Sequence, residues 1–331
     1  MQFLSNQANQ YRSKWKPPTE GGRRWTSIAD LPDDLIDIQN RLEQVRSCLI
    51  DHLSTKHPAW YILHLLIDNC SRRYGFDRLK WVPMHTDKLY LRLKDPEQPD
   101  CTVITLGIGN DTKMEQDLQL AYPQCRFYGA DPFPTVGALY QQFGQYIPVA
   151  VDSTTGEKSL SLMTDGDEKY AWTKIKTLSL RQFLAQINET FVHFLSMDVE
   201  GSEYRLLPYM APPGRAGGSI FHRNADWLND QDHVICQMTA ELHGPLESYS
   251  MTQGGFEQLL LNFLRNSPYV PLRCFPPGNH HRIFLINTQS SDCLKQFDFS
   301  PREEPAADPV KSQFNPMPGV TGKAYVDHKA V

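Results

Sequence analysis

Nothing in this 331-residue chain is apolar over the roughly 18 consecutive residues that a membrane-crossing helix requires, so no span is predicted. The seven cysteines, at 48, 70, 101, 125, 236, 274 and 293, include no Cys-x-x-Cys pair. Odd, unclustered usage argues against a disulfide framework and against a cysteine-rich zinc site. There is no long basic tract and the net charge is −5, which makes nucleic acid a poor partner. The first residues, Met1-Gln-Phe-Leu-Ser-Asn-Gln, lack the charged and long apolar regions of a secretory leader. These absences make a reducing, cytoplasmic setting the expectation, with a secreted or anchored form only if the sequence is a truncated piece. Asn69-Cys-Ser and Asn188-Glu-Thr are sequons, although such tripeptides arise often by chance.

What is present fits one sizeable α/β domain with an accessory segment, since 40% of residues are apolar. Residues 1–27 read as a flexible, locally basic arm carrying Arg12, Lys14, Lys16, Arg23 and Arg24. Residues 28–98 read as an N-terminal cap. Leu35, Ile38, Leu42, Val45, Leu49 and Leu53 recur at three- and four-residue steps and predict a helix over 33–53. A second helix is predicted over 59–74, with short strands between 80 and 93; the cap reads as structural, with covering of the substrate side the alternative. The core is assigned to 99–297, and a Pro- and charge-rich tail, 298–331, is expected to be disordered.

Two motifs carry the chemistry. The first is Val103-Ile-Thr-Leu-Gly-Ile-Gly-Asn-Asp111, followed by Phe127-Tyr-Gly-Ala-Asp131-Pro132: a buried strand, a glycine turn, a helix and a second strand ending in an acid. Gly107 and Gly109 would let the backbone approach a ligand, and Asp131 lies where a nucleoside-binding unit grips ribose hydroxyls. The bland alternative is an ordinary strand-turn-helix with a surface Asp. The second motif is Phe191-Val-His-Phe-Leu-Ser-Met-Asp198-Val-Glu200-Gly-Ser-Glu203, which would put Asp198 and Glu200 on the carboxyl rim of the same sheet. Its bland alternative has Asp198 capping the next helix and Glu203 in that helix's first turn.

The order Thr-Leu-Gly-Ile-Gly, Tyr-Gly-Ala-Asp-Pro, Asp198-Val-Glu-Gly-Ser-Glu203 and Thr239-Ala-Glu-Leu-His243 resembles the FkbM-type methyltransferases, over about residues 100–290 and in the flavour of their animal, nematode-like branch. The resemblance implies a class I, Rossmann-like fold: a seven-stranded, mostly parallel sheet whose last strand is antiparallel. It also implies S-adenosylmethionine as cofactor and, often, a hydroxyl oxygen as methyl acceptor. On that reading Gly107, Gly109 and Asn110 cradle the methionine portion, and Asp131 and Pro132 meet the ribose. Asp152 touches adenine, with a plain turn role the alternative. The chain departs from many such enzymes in having Thr105 where an acid precedes the first glycine, and Asp111 at the third glycine position.

Glu241 and His243 are two residues apart and point to one face of a strand. With Asp198 they would meet at the rim, and Asp198, Glu200, Glu241 and His243 are the candidate catalytic residues. Either a carboxylate or His243 removes a hydroxyl proton, or Asp198, Glu241 and His243 hold a divalent metal that acidifies the hydroxyl. Structural hydrogen bonding is the third possibility. His280 and His281 are further candidates for the cleft. The acceptor expected is a small hydroxyl compound or a sugar. The competing reading is a catalytically silent binding module, motivated by Thr105 and Asp111. A nicotinamide dehydrogenase has less support, because no full Gly-x-Gly-x-x-Gly is present.

Overall fold

A computed structural model describes residues 31–53, 59–84, 88–163, 170–210, 233–276 and 279–302; the basic arm and nearly all of the predicted tail lie outside them. Strand β3 (Thr102–Leu106) is buried along its whole length, as a central parallel strand must be. Around it run β4 (Arg126–Ala130), β5 (Gln145–Ile147), β9 (Phe191–Met197), β10 (Val234–Leu242), β11 (Tyr269–Phe275) and β12 (His281–Asn287). Their order is β11-β12-β10-β9-β3-β4-β5. Neighbours from β10 to β5 are parallel, whereas β12 runs antiparallel to both β10 and β11. This is the expected sheet, antiparallel last strand included. The chain leaves β3 outward through β4 and returns to β9 on the other side, so the crevice between the carboxyl ends of β3 and β9 is the topological switch point where such sheets bind ligands.

The apolar run over 146–151 reads in the sequence as one strand, but the fold divides it. Pro148 supplies no backbone N–H, so pairing with β4 stops at Ile147. The chain then enters a separate three-stranded sheet, where β6 (Ala150–Asp152) is parallel to β8 (Tyr170–Ser179) and β7 (Gly156–Met163) is antiparallel to it. In the sequence 159–163 and 174–177 read as short extended pieces, and these lie in the arms of that long hairpin.

Helices α1 (Asp33–Leu53) and α2 (Ala59–Arg73) bury the residues that their periodicity selects and share one hydrophobic core with the sheet. They pack on β11 and on α7 (Gln253–Asn266). Buried Arg46 of α1 donates to the carbonyl oxygens of Leu264 and Ser267, capping the end of α7. The hairpin of β1 (Trp81–Pro83) and β2 (Leu89–Leu91) docks on β10, where the Tyr90 hydroxyl meets that of Thr239 and Gln237 bonds the β2 backbone. Gln237 accepts from the Leu91 N–H at 2.9 Å and donates to the Leu91 carbonyl at 3.0 Å. Residues at the start of the predicted tail are ordered against this cap: the Asp298 N–H donates to the Arg92 carbonyl and Pro301 bridges to Leu79.

The argument against disulfides is overturned. Cys48–Cys70 joins α1 to α2, Cys101–Cys125 joins the starts of β3 and β4, and Cys236–Cys293 joins β10 to α8 (Ser291–Gln296). Cys274 alone is free, and it is buried. Spacing in sequence hid the pairing, because each bridge spans 22 or more residues and its cysteines meet only in the folded chain. Among the described residues no helix is long and apolar enough to cross a membrane.

Candidate active site

The glycine turn and the second acidic motif meet at the switch point. Gly107, at φ +76°, donates its N–H to the Ala130 carbonyl, while the Asp198 N–H donates to the Leu106 carbonyl at 2.9 Å. The backbone of Asp198 fills the space where a side chain on residue 107 would go. Gly109, at φ +63°, faces open space instead. The two glycines therefore differ in purpose: the first permits strand-to-strand closure, and only the second leaves room for a ligand.

Asp131 ends β4 in the expected place, but its carboxylate is already engaged. Oδ2 accepts from the N–H groups of Ile108 (3.0 Å) and Gly109 (3.3 Å), and Oδ1 from Phe133 (2.9 Å). It braces the turn, and burial pushes its pKa up. Pro132 follows it half-buried, and Asn110 is exposed beyond Gly109. Asp111 accepts from the Lys113 N–H at 3.0 Å, a local turn at the start of α3 (Lys113–Ala121). Thr105, standing where an acid is usual, donates to Glu115 of α3 at 2.6 Å. A buried carboxyl thus reaches that place from the helix, with its pKa raised by burial.

Asp152, read as an adenine contact or a turn residue, is already engaged by two cations. It is fully buried between Arg205 (2.8 Å) and Lys158 (2.9 Å) and also accepts from Ser153. Burial alone would raise its pKa, but the Arg205 guanidinium and Lys158 outweigh it and hold the carboxyl below the usual range. The polar turn around it is an ion-pair junction linking β6 to α6 (Glu203–Tyr209).

At the carboxyl ends of β9 and β10, His243 is the hub. Its Nε2 lies 3.4 Å from Asp198 Oδ1 and 3.3 Å from Glu200 Oε2, and its Nδ1 lies 3.1 Å from Glu203 Oε1. Glu200 reaches in through a left-handed backbone (φ +52°) followed by Gly201 at φ +90°, against which Tyr249 packs. The ring is buried, which lowers its basicity, yet Glu203 and then Asp198 and Glu200 raise its pKa overall. Asp198 is pushed up by burial and by Glu241. Glu241 itself is tied to Arg282 at 2.8 Å and sits 3.8 Å from His280.

At this rim, among the described residues, two three-residue groups have ligand atoms close enough to share a cation: Asp198, Glu200 and His243, and Glu241, His243 and His280. The trio expected from sequence, Asp198, Glu241 and His243, is split between them, because Arg282 draws Glu241 away. His281 turns from the cleft, with its Nε2 donating to the Trp60 carbonyl at 2.7 Å.

Two contributors escaped sequence reading. Glu203, fully buried, was legible as a first-turn helix acid, but it also accepts from the Val199 N–H and orients His243. Lys88, donating to Ser196 at 3.2 Å, comes from the cap hairpin with no local signal.

Among curated proteins none matches this chain. Among solved structures it is similar to the Methanococcus jannaschii fibrillarin pre-rRNA processing protein, at 13% identity over 63% of this chain and 83% of that one, with a TM-score of 0.34; nothing below rests on that likeness. A family model described as the methyltransferase FkbM domain matches residues 85–256, just over half of the chain and all of the site from Lys88 to His243. This chain belongs to the FkbM methyltransferase family.

Proposed function

We propose that the chain is an S-adenosylmethionine-dependent methyltransferase acting on a hydroxyl of a small molecule or sugar. The observation that carries this is the meeting of Asp198, Glu200 and His243 directly beside the glycine turn. The residues fit the cofactor: the turn is open over Gly109, and Asp131 holds the 108–109 amides in place while its oxygens retain further lone pairs. Gly109, Asn110, Asp131 and Pro132 would hold it. When bound, it supplies a methyl group already activated by a sulfonium. The chain's part is to align an oxygen nucleophile, exclude water and accept its proton.

His243, held as an imidazolium among carboxylates, is poorly suited to be the base. Asp198, whose raised pKa brings it toward neutrality, takes the hydroxyl proton, and His243 balances the charge. Glu200 borders the acceptor.

A second reading is favoured by the close grouping of Asp198, Glu200 and His243. Glu203 on Nδ1 would leave Nε2 to a divalent cation that lowers the hydroxyl pKa. The three disulfides further support work in an oxidising compartment rather than the cytoplasmic one.

The test is calorimetric titration with S-adenosylmethionine and S-adenosylhomocysteine, with Asp131→Ala as control, then an acceptor screen with and without Mg2+ or Mn2+. Micromolar binding lost in the variant supports the reading. Absence of binding by folded protein would leave the silent binding module. Activity abolished by chelation and restored by metal would select the second mechanism.

A further inference from the structure

Three Asn-x-Ser/Thr tripeptides occur in the chain, at Asn69, Asn110 and Asn188, and the fold treats them differently. Asn69 lies inside α2; the next residue, Cys70, is bonded to Cys48, and the Ser71 hydroxyl is fully buried. Asn110 is exposed, but Thr112 is buried and the tripeptide follows the glycine turn itself. Asn188 is the C-cap of α5 (Leu180–Ile187), at φ +57° and ψ +37°, a conformation that asparagine tolerates better than most residues. Both Asn188 and Thr190 are exposed. Between them Glu189 is buried and pinned by Arg126 (2.8 Å), Tyr128 (2.8 Å) and Thr102 (3.1 Å), which holds its two neighbours toward solvent. Thr190 directly precedes β9, so the tripeptide stands at the amino end of the strand whose carboxyl end carries Asp198, roughly 26 Å from Thr190 along the strand.

From this exposure, and from three disulfides that call for an oxidising secretory compartment, we propose that Asn188 is an N-glycosylation site of the folded protein. In the transfer, the Asn188 side-chain nitrogen forms a bond to C1 of the reducing-end sugar of a lipid-diphosphate oligosaccharide. The C1–O bond to the diphosphate breaks, lipid diphosphate leaves, and the amide loses one proton. The glycan projects from the face opposite the candidate active site, so it leaves that cleft open. The assignment does not depend on the methyltransferase reading.

The test is expression of the full chain behind a secretory leader in a eukaryotic host, with both secreted and lumenal protein analysed by intact mass and by peptide mapping after peptide:N-glycosidase F. The expected result is a single glycan lost on digestion, with Asn188 converted to aspartate. Both Asn188→Gln and Thr190→Ala should lose that mass, and Asn69→Gln should keep it. Thr190→Ala leaves the left-handed cap residue in place, so its behaviour separates glycan loss from misfolding. Unmodified Asn188 in lumenal protein, or a glycan on Asn69 instead, overturns the proposal. A glycan on Asn110 alone overturns it too, and would additionally count against cofactor binding at the glycine turn.

Discussion

A β-carbon on residue 107 would lie 1.7 Å from the carbonyl oxygen of Asp198, whereas one on residue 109 would meet no atom within 4 Å. Gly107→Ala must therefore push β3 and β9 apart as well as strain a left-handed backbone, and should lose about 3 kcal/mol or more. Gly109→Ala carries only the conformational cost of about 1 kcal/mol and should instead weaken cofactor binding. Urea denaturation of both variants checks the order; equal midpoints would refute the packing account.

Glu203→Gln keeps an oxygen that can accept from His243 Nδ1 and from the Val199 N–H, but removes a charge. The His243 ring should titrate at lower pH than in the parent, as NMR of the labelled imidazole would report. Activity should fall about 10- to 100-fold, as for other outer groups that orient a working histidine. An unchanged ring titration would mean that Asp198 and Glu200 alone set its charge.

Breaking the buried Asp152–Arg205 pair with Asp152→Asn leaves Arg205 and Lys158 facing a neutral amide. With Arg205 partly exposed, a loss of roughly 3 kcal/mol is expected, at the low end for buried pairs. Affinity of the folded variant for S-adenosylhomocysteine should not change. A large drop in affinity with stability intact would restore the adenine-contact role that the geometry argues against.

Acid should destabilise the fold through its neutral histidines. Burial drops the pKa of His193, and also that of His281, to about 4, and His193 Nδ1 accepts the Thr102 N–H at 3.1 Å. Unfolding lets each bind a proton below about pH 6.5, so their contribution is whole above that pH. It is lost progressively as pH falls toward 4, by on the order of 3 kcal/mol for each ring. Chemical denaturation at pH 7.5 and pH 5 measures the slope, and His193→Gln should flatten it.

Under denaturing, non-reducing conditions one thiol, Cys274, should react among the seven cysteines. Reduction should lower the melting temperature, each bridge contributing about 3 to 4 kcal/mol by loop-closure entropy. Seven reactive thiols in the purified protein would remove the argument for an oxidising compartment.

These comparisons show what could be read before folding. Strands and helices with a clear period, such as β3, β9, α1 and α5, appeared at their observed positions because burial on one or both faces dictates residue type directly. The break at Pro148 was visible in principle, since proline cannot extend a ladder. Its neighbours Tyr146, Ile147, Val149 and Val151 masked it with continuous hydrophobicity.

The convergence of Asp198, Glu200 and His243 was legible because each follows a parallel strand, and strand ends converge by topology. The ion pairing of Asp152 was not legible, because strand-end position does not reveal whether a cation is waiting across the turn. The Arg205 that captures it is 53 residues away. Cysteine pairing failed for the same reason, being a matter of three-dimensional neighbours rather than spacing.

The Gln237 amide acts as a ruler. By bonding both backbone groups of Leu91 it imitates a neighbouring strand, so its length, together with the buried Tyr90 beside it, sets the height of the cap hairpin above the sheet. Lys88, three residues earlier, inherits that height as it reaches Ser196. Shortening the ruler by one methylene, as in Gln237→Asn, would lower the roof or unhook it. The position at which Lys88 meets the end of β9 is thus influenced by a residue on the neighbouring strand that it does not touch.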